Sequence, residues 1–133
     1  MSFIKTISLK SLGGERGSLV ALEGNKSVPF DIKRVYYIFA TKEGVSRGLH
    51  SHRNLKQVAV CVTGSCRFVL DNGKQREEVM LNKSTIGLLI DDLIWREMYD
   101  FSPDCVLMVL ASEYYDKLDY IRDYDEFLEM VYL

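Results

Sequence analysis

Short runs of β-branched and aromatic residues, each closed by a turn signal, fill most of this chain and leave little room for any other class of fold. "FIKTISL", "RGSLVALE", "IKRVYYIFA", "QVAVCVTG", "CRFVLDNG", "EEVML", "GLLI", "IWREMY" and "CVLMVLA" are each four to nine residues long. That is strand length, in residue types that suit a pleated surface. "EGNKS", "KEG", "TGS" and "DNG" punctuate them with glycine or asparagine, and Asp71-Asn72-Gly73 is a strong hairpin signal. Pro29 and Pro103 fall between runs, where a missing N–H does least harm. Nine such runs in 133 residues predict an all-β sandwich or barrel of about ten short strands.

Only the C-terminus changes period. In "DYIRDYDEFLEMVYL" the residues Tyr120, Ile121, Tyr124, Phe127, Leu128 and Val131 recur at helical spacing, with Asp119 available as N-cap. One terminal helix packed on the outside of the sheet is expected. The length suits one domain, 1–133, with a core large enough to need no disulfide or metal staple. Three cysteines, Cys61, Cys66 and Cys105, are an odd number without a C-x-x-C spacing and read as reduced, buried thiols. With 17 basic against 19 acidic residues and a net charge of −2, no global positive field gathers nucleic acid or anionic lipid. The start "MSFIKTISLK" lacks the apolar core of a secretory signal, and no apolar run approaches a membrane span. The expectation is a cytoplasmic protein with no nucleic-acid or membrane partner. The glycine-rich "LGGERG" leads into a strand-like run and lacks the pattern of a phosphate loop, so it reads as a turn.

The chain has two histidines, and both lie in "RGLHSHRNLKQ". In an extended strand residues two apart share a face, so His50 and His52 present both imidazoles to one space. His50-x-His52, four residues, Gln57, six residues and Gly64 resembles the first motif of the cupin superfamily, with Gln57 in the place of its glutamate. Metal-binding cupins supply a third histidine from a later strand. Here "KSTIGLLIDDLIWREM" has none and places Trp95 near that position. Two imidazoles and a neutral amide fall short of the three protein ligands usual for a catalytic zinc, so no metal is expected.

Along its length the chain resembles a narrower group, the nucleotide-diphosphate-sugar 3,4-ketoisomerases, metal-free cupins acting on dTDP-4-keto-6-deoxyglucose. The segments that carry the resemblance are "ERGSLVALEG", "VPFDIKRVYYI", "RGLHSHRNLKQ", "TGSCRFVLDNG" and "LASEYYDKLDYIRDYDEFL", in the family's order. The resemblance implies a cupin jelly-roll β-barrel with a C-terminal helix that moves a sugar ketone from C4 to C3 without nicotinamide or metal. Its product would feed synthesis of a 3-amino-3,6-dideoxyhexose. It implies His50 and His52 as the acid–base pair, because histidine titrates near neutrality. Tyr37 is the expected third participant; Tyr36 and Tyr37 point to opposite faces, so only one of them can face inward.

Arg47 is the expected diphosphate partner through bidentate, charge-assisted bonds. Three residues from His50 in a regular strand it would face away, so this assignment requires a kink or bulge at Gly48. Arg16 is a second phosphate candidate. If the family's exchange of N-terminal strands within a homodimer holds, Arg16 would serve the partner's site. Gln57 is expected to hydrogen-bond within the site and Trp95 to wall it, while the tyrosines of "SEYYDKLDY" are read as packing residues. Competing readings are a 3,5-epimerase on the same nucleotide sugar, a non-catalytic sugar-binding cupin, and a metal-dependent enzyme.

Overall fold

A computed structural model describes residues 1–133 as two facing antiparallel sheets. Strands β1 (Lys5–Ser8), β2 (Ser11–Gly14), β3 (Gly17–Val20) and β4 (Arg34–Phe39) lead to β5 (Arg47–His52), β6 (Gln57–Thr63), β7 (Cys66–Asp71) and β8 (Arg76–Leu81). Then follow β9 (Ile86–Ile90), β10 (Trp95–Tyr99), β11 (Val106–Ala111), β12 (Tyr120–Ile121) and the helix α1 (Tyr124–Val131). One sheet runs β1-β9-β6-β11-β4 and the other β12-β5-β10-β7-β8, while β2 and β3 form a separate two-stranded ribbon. This is the jelly-roll barrel that the family resemblance implied, and it falls within the sandwich or barrel expected from the run of short strands.

Side-chain alternation decides what lies between the sheets. Ala59 and Cys61 of β6, Phe68 and Leu70 of β7, and Leu107 and Val109 of β11 point inward and make the main core. The fully buried run of β6 has a second cause. Its outward residues Val58 and Val60 are covered by Leu9, Val28 and Phe30 from the N-terminal segments, so both faces of that strand are dry. The three cysteines are buried and unpaired, with Cys61 Sγ 3.7 Å from both Cys66 Sγ and Cys105 Sγ. Burial pushes the Cys105 thiol up to about 12, so it packs as a neutral group.

The C-terminus differs from the expectation. The helix starts at Tyr124, with Asp123 as N-cap accepting from the Asp125 N–H, and Asp119 caps nothing. Tyr120 and Ile121 are extended instead and pair with His52 and Ser51. Without them the outer edge of β5 would carry unpaired backbone groups beside fully buried Ser51. The helix packs Phe127 and its neighbours onto Trp95 and Ile121. No helix is long and apolar enough to cross a membrane.

The β6–β7 turn tests how tightly this end of the barrel closes. Gly64 has φ +72°, and a Cβ there would lie 2.4 Å from Ser102 Oγ and 2.6 Å from Cys105 Cα. Gly44 has φ +80° but nothing within 4 Å. Gly44→Ala should cost only the left-handed backbone term, about 1–2 kcal/mol. Gly64→Ala should add an overpacking cost of about 1–3 kcal/mol. Denaturant midpoints read the difference, and equal losses would mean that the turn relaxes freely.

Candidate active site

The site is built on an irregularity in β5. Gly48 and Leu49 both have left-handed backbones, at φ +82° and +59°. The register with β10 jumps from Arg96 opposite His50 to Glu97 opposite Gly48, so Leu49 is the extra residue of a bulge. The bulge resets the side-chain phase, as Arg47 required. Arg47 and His50 border one cleft of about 410 Å³, together with Arg34, Tyr36, Tyr120 and Arg122.

Beyond the bulge the strand is regular, and the two imidazoles sit edge to face with centroids 4.9 Å apart. The Tyr120 ring lies 4.9 Å from His50 and 4.3 Å from His52. His50 borders the cleft, whereas His52, only 2% exposed, is packed against His50 and Tyr120. His52 Nδ1 is 3.1 Å from Asp119 Oδ2. His50 Nδ1 is buried and has no hydrogen-bond partner within the chain.

Arg96 lies in the barrel interior, 3% exposed and with no carboxylate in contact. Its guanidinium donates to Gln57 Oε1 and, at 3.0 Å, to the Ile94 carbonyl. Gln57 Nε2 in turn donates to the Tyr36 hydroxyl at 3.1 Å. The polarity of this chain is forced. A guanidinium only donates, so Gln57 must accept with its oxygen and donate with its nitrogen, and Tyr36 accepts while its own proton is left for another partner.

Electrostatics follow from the same burial. Desolvation, then the Arg96 charge, holds His50 at about 4 and His52 at about 2, so both rings are neutral at pH 7. Desolvation raises Tyr36, which keeps its proton. Arg96 is lowered to about 10 by burial and stays charged. The site therefore holds one neutral imidazole on the cleft and a second packed behind it, with a protonated hydroxyl and a fixed positive charge beneath them. These residues do not suit a cupin metal. Opposite His50, where a further ligand strand would contribute, stands a permanent cation whose hydrogen bond already occupies the Gln57 oxygen.

Of the residues expected from the sequence, His50, His52, Arg47 and Gln57 come together here. Tyr37 does not. It is 63% exposed on the outer face of β4 and stacks on Phe39, while Tyr36 faces the cleft. The opposite-face rule holds with the phase reversed. Trp95 is likewise displaced by one residue: it points outward beneath the helix, 5.8 Å from Phe127, and donates to Glu97 at 2.8 Å, so it walls no cleft. Arg96 is the inward neighbour. Arg16 is exposed at the tip of the β2–β3 ribbon and does not border the cleft of its own chain. Sequence reasoning missed Arg34, Tyr36, Arg96, Asp119, Tyr120 and Arg122. Alternation in "IWREMY" groups Arg96 with Met98 and Trp95 with Tyr99, and both sets carry apolar residues, so the run held no sign of which set faces inward.

The comparisons with known proteins agree with this geometry. The family model "FdtA: WxcM-like, C-terminal" matches residues 2–132. A TDP-4-oxo-6-deoxy-alpha-D-glucose-3,4-oxoisomerase from Aneurinibacillus thermoaerophilus is 54% identical over 127 residues, covering 96% of this chain and 91% of that protein. A solved structure of a histidine-to-asparagine mutant of the 3,4-ketoisomerase QdtA from Thermoanaerobacterium thermosaccharolyticum, in complex with TDP-4-keto-6-deoxyglucose, is 43% identical. It has a TM-score of 0.95, covering 98% of this chain and 96% of that one. The rmlC epimerase of Mycobacterium tuberculosis, at 18% identity and a TM-score of 0.72 over 86% of this chain and 66% of that one, shares the fold alone. A barrel whose paired histidines stand over a buried arginine, matched across nearly its whole length, thus belongs to the FdtA family of cupin-type TDP-sugar 3,4-ketoisomerases.

Proposed function

We propose that this protein moves the ketone of dTDP-4-keto-6-deoxy-D-glucose from C4 to C3. The observation that carries the reading is the pair of neutral imidazoles beside a protonated tyrosine, set over a buried guanidinium. A base takes the hydrogen from C3, a C3–C4 double bond forms, and the carbonyl electrons pass to the C4 oxygen, giving an enediolate that takes a proton. The C3 hydroxyl then loses its proton as its oxygen becomes the ketone, and C4 receives a proton. No electrons enter or leave.

His50 borders the cleft and is the group that exchanges protons with carbon. Tyr36 donates to the sugar oxygens, and Arg96 stabilises the enediolate charge from beneath, in a site where burial strengthens it. The diphosphate is held at the rim by Arg47, with Arg34 and Arg122 beside it. The 3-ketone suits an aminotransferase as the next enzyme, leading to a 3-amino-3,6-dideoxyhexose. Three unpaired buried thiols favour a reducing, cytoplasmic setting.

The working form in this reading is a homodimer with exchanged N-terminal ribbons. The ribbon leaves Leu12 and Leu19 exposed, and the edge strand β4 leaves Val35, Tyr37 and Phe39 exposed on its outer face. Exchange would carry Arg16 to a second copy's cleft. Sedimentation should give a dimer, and Tyr37→Glu should shift it toward monomer; a monomeric parent protein would rule the arrangement out.

Proton NMR in D2O with chelator-treated protein tests the reaction. Conversion to the 3-keto sugar is expected, and His50→Asn should lower kcat by about 10²–10⁴-fold with nucleotide affinity nearly kept. Deuterium at C3 and C5 with the ketone still at C4 would establish an epimerase, and binding without change a non-catalytic cupin.

The pH dependence has a definite sign. Neutral His50 is the active form, and its folded value of about 4 lies below the ordinary 6.5. kcat/KM should therefore stay flat from pH 8 to about 5 and fall below that. Stability behaves differently, because the unfolded chain takes up protons first as pH falls. The stability that His50 contributes above pH 6.5 should be lost between 6.5 and about 4, at up to about 1.4 kcal/mol per pH unit. A rate profile breaking at 6.5 would contradict a desolvated His50.

A further inference from the structure

We infer that Asp119 is a positioning residue that fixes the tautomer of His52, holding the ring proton on Nδ1 and leaving Nε2 as its only proton-accepting atom. The inference rests on the ketoisomerase reading for its kinetic consequence, but the tautomer itself can be read without any substrate.

Both oxygens of the Asp119 carboxylate are committed. Oδ2 lies 3.1 Å from His52 Nδ1, and Oδ1 accepts the Asn54 N–H at 2.8 Å. The main chain holds the residue in place as well. The Asp119 carbonyl accepts from the Arg53 N–H at 3.1 Å, and Tyr120 pairs with His52 itself. The preceding 3₁₀ turn is capped by Asp116, which accepts from the Leu118 N–H at 3.0 Å. The backbone is thus anchored to β5, and the carboxylate cannot swing away from the imidazole without giving up its bond from the Asn54 N–H.

A neutral imidazole has one proton and two places to put it, and the partner of one nitrogen decides the state of the other. The Asp119 oxygen that faces Nδ1 accepts, so the nitrogen must donate. The groups around the ring are His50, Tyr120, Arg96, Arg34 and Arg122, and none of them hydrogen-bonds to Nδ1. Asp119 alone sets the choice. The reaction needs an atom able to take a proton beside one able to give it, and with Nδ1 tied only Nε2 of His52 can exchange one. Loss of the tautomer would remove that atom while leaving the ring in place.

The substitution Asp119→Asn makes a sharp test because of Asn54. Its N–H requires an oxygen, so the amide oxygen of the new side chain stays at the Oδ1 position and the NH₂ falls opposite His52 Nδ1. A donor there forces the nitrogen to accept and moves the ring proton to Nε2. On the full-length ¹⁵N-labelled protein, imidazole NMR should show His52 protonated at Nδ1 in the wild type and at Nε2 in D119N. With the keto sugar, kcat should fall by about 10²–10⁴-fold, with KM within a few-fold. Asp119→Glu, which restores an acceptor, should recover part of the rate and the wild-type tautomer.

A wild-type His52 protonated at Nε2 overturns the inference whatever the variants do, and needs no variant to fold. So does a D119N protein with the flipped tautomer and undiminished kcat. If the wild-type tautomer is as expected but no ketoisomerase turnover is seen, the functional reading fails and the positioning role of Asp119 stands.

Discussion

A guanidinium buried without a carboxylate is the interaction on which the rest of this site depends. Taking a charge out of water costs several kcal/mol even after relaxation, and Arg96 recovers part of that from Gln57 and the Ile94 carbonyl alone. The remaining field acts on its neighbours. It helps burial keep both histidines neutral, and through Gln57 it sets the direction of the hydrogen bond that Tyr36 receives. A cation is thus fixed in the barrel interior by covalent attachment to the chain. In the proposed reaction Arg96 takes the part that a recruited ion plays in metal-binding cupins, supplying charge from its own strand. That charge can stabilise an enediolate without binding any ligand first.

The second dependence is on the chain's last strand. β12 contributes only two backbone residues, yet it closes the edge of β5 and brings Asp119, Tyr120 and Arg122 to the histidines. The helix that follows holds it down by packing Phe127 against Trp95 and Ile121. Trp95 and Arg96 are adjacent residues with opposite tasks: one anchors the helix outside the barrel and the other charges its interior. The docked C-terminus therefore completes one side of the site. A mutation in the helix core would act on the chemistry through the placement of Asp119 rather than through any contact with substrate.

Some of this was legible in the residues themselves. Run lengths and turn signals pointed to an all-β sandwich or barrel, and period-2 alternation put His50 and His52 on one face. The conflict between Arg47 and His50 required an irregularity at Gly48, and a bulge is there. The family-wide segments carried the resemblance along the chain. What periodicity cannot supply is absolute phase. It separated Tyr36 from Tyr37 and Trp95 from Arg96, but which member faces inward depends on the opposite sheet and on the helix outside. The choices of Tyr37 and Trp95 each missed by one residue for that reason.

The C-terminal stretch failed differently. Its apolar spacing fits a helix from Asp119 onward, and only the open edge of β5, distant in sequence, pulls Tyr120 and Ile121 into extended pairing. Local sequence determined the short-strand character of the chain from its start to β11, the existence of one C-terminal helix and the pairing of the histidines, because turn chemistry and side-chain period act over a few residues. The strands number twelve where about ten were expected. Tertiary structure alone decided which arginine is buried, which tyrosine faces the cleft and which aspartate meets His52. Those outcomes are set by contacts between strands tens of residues apart.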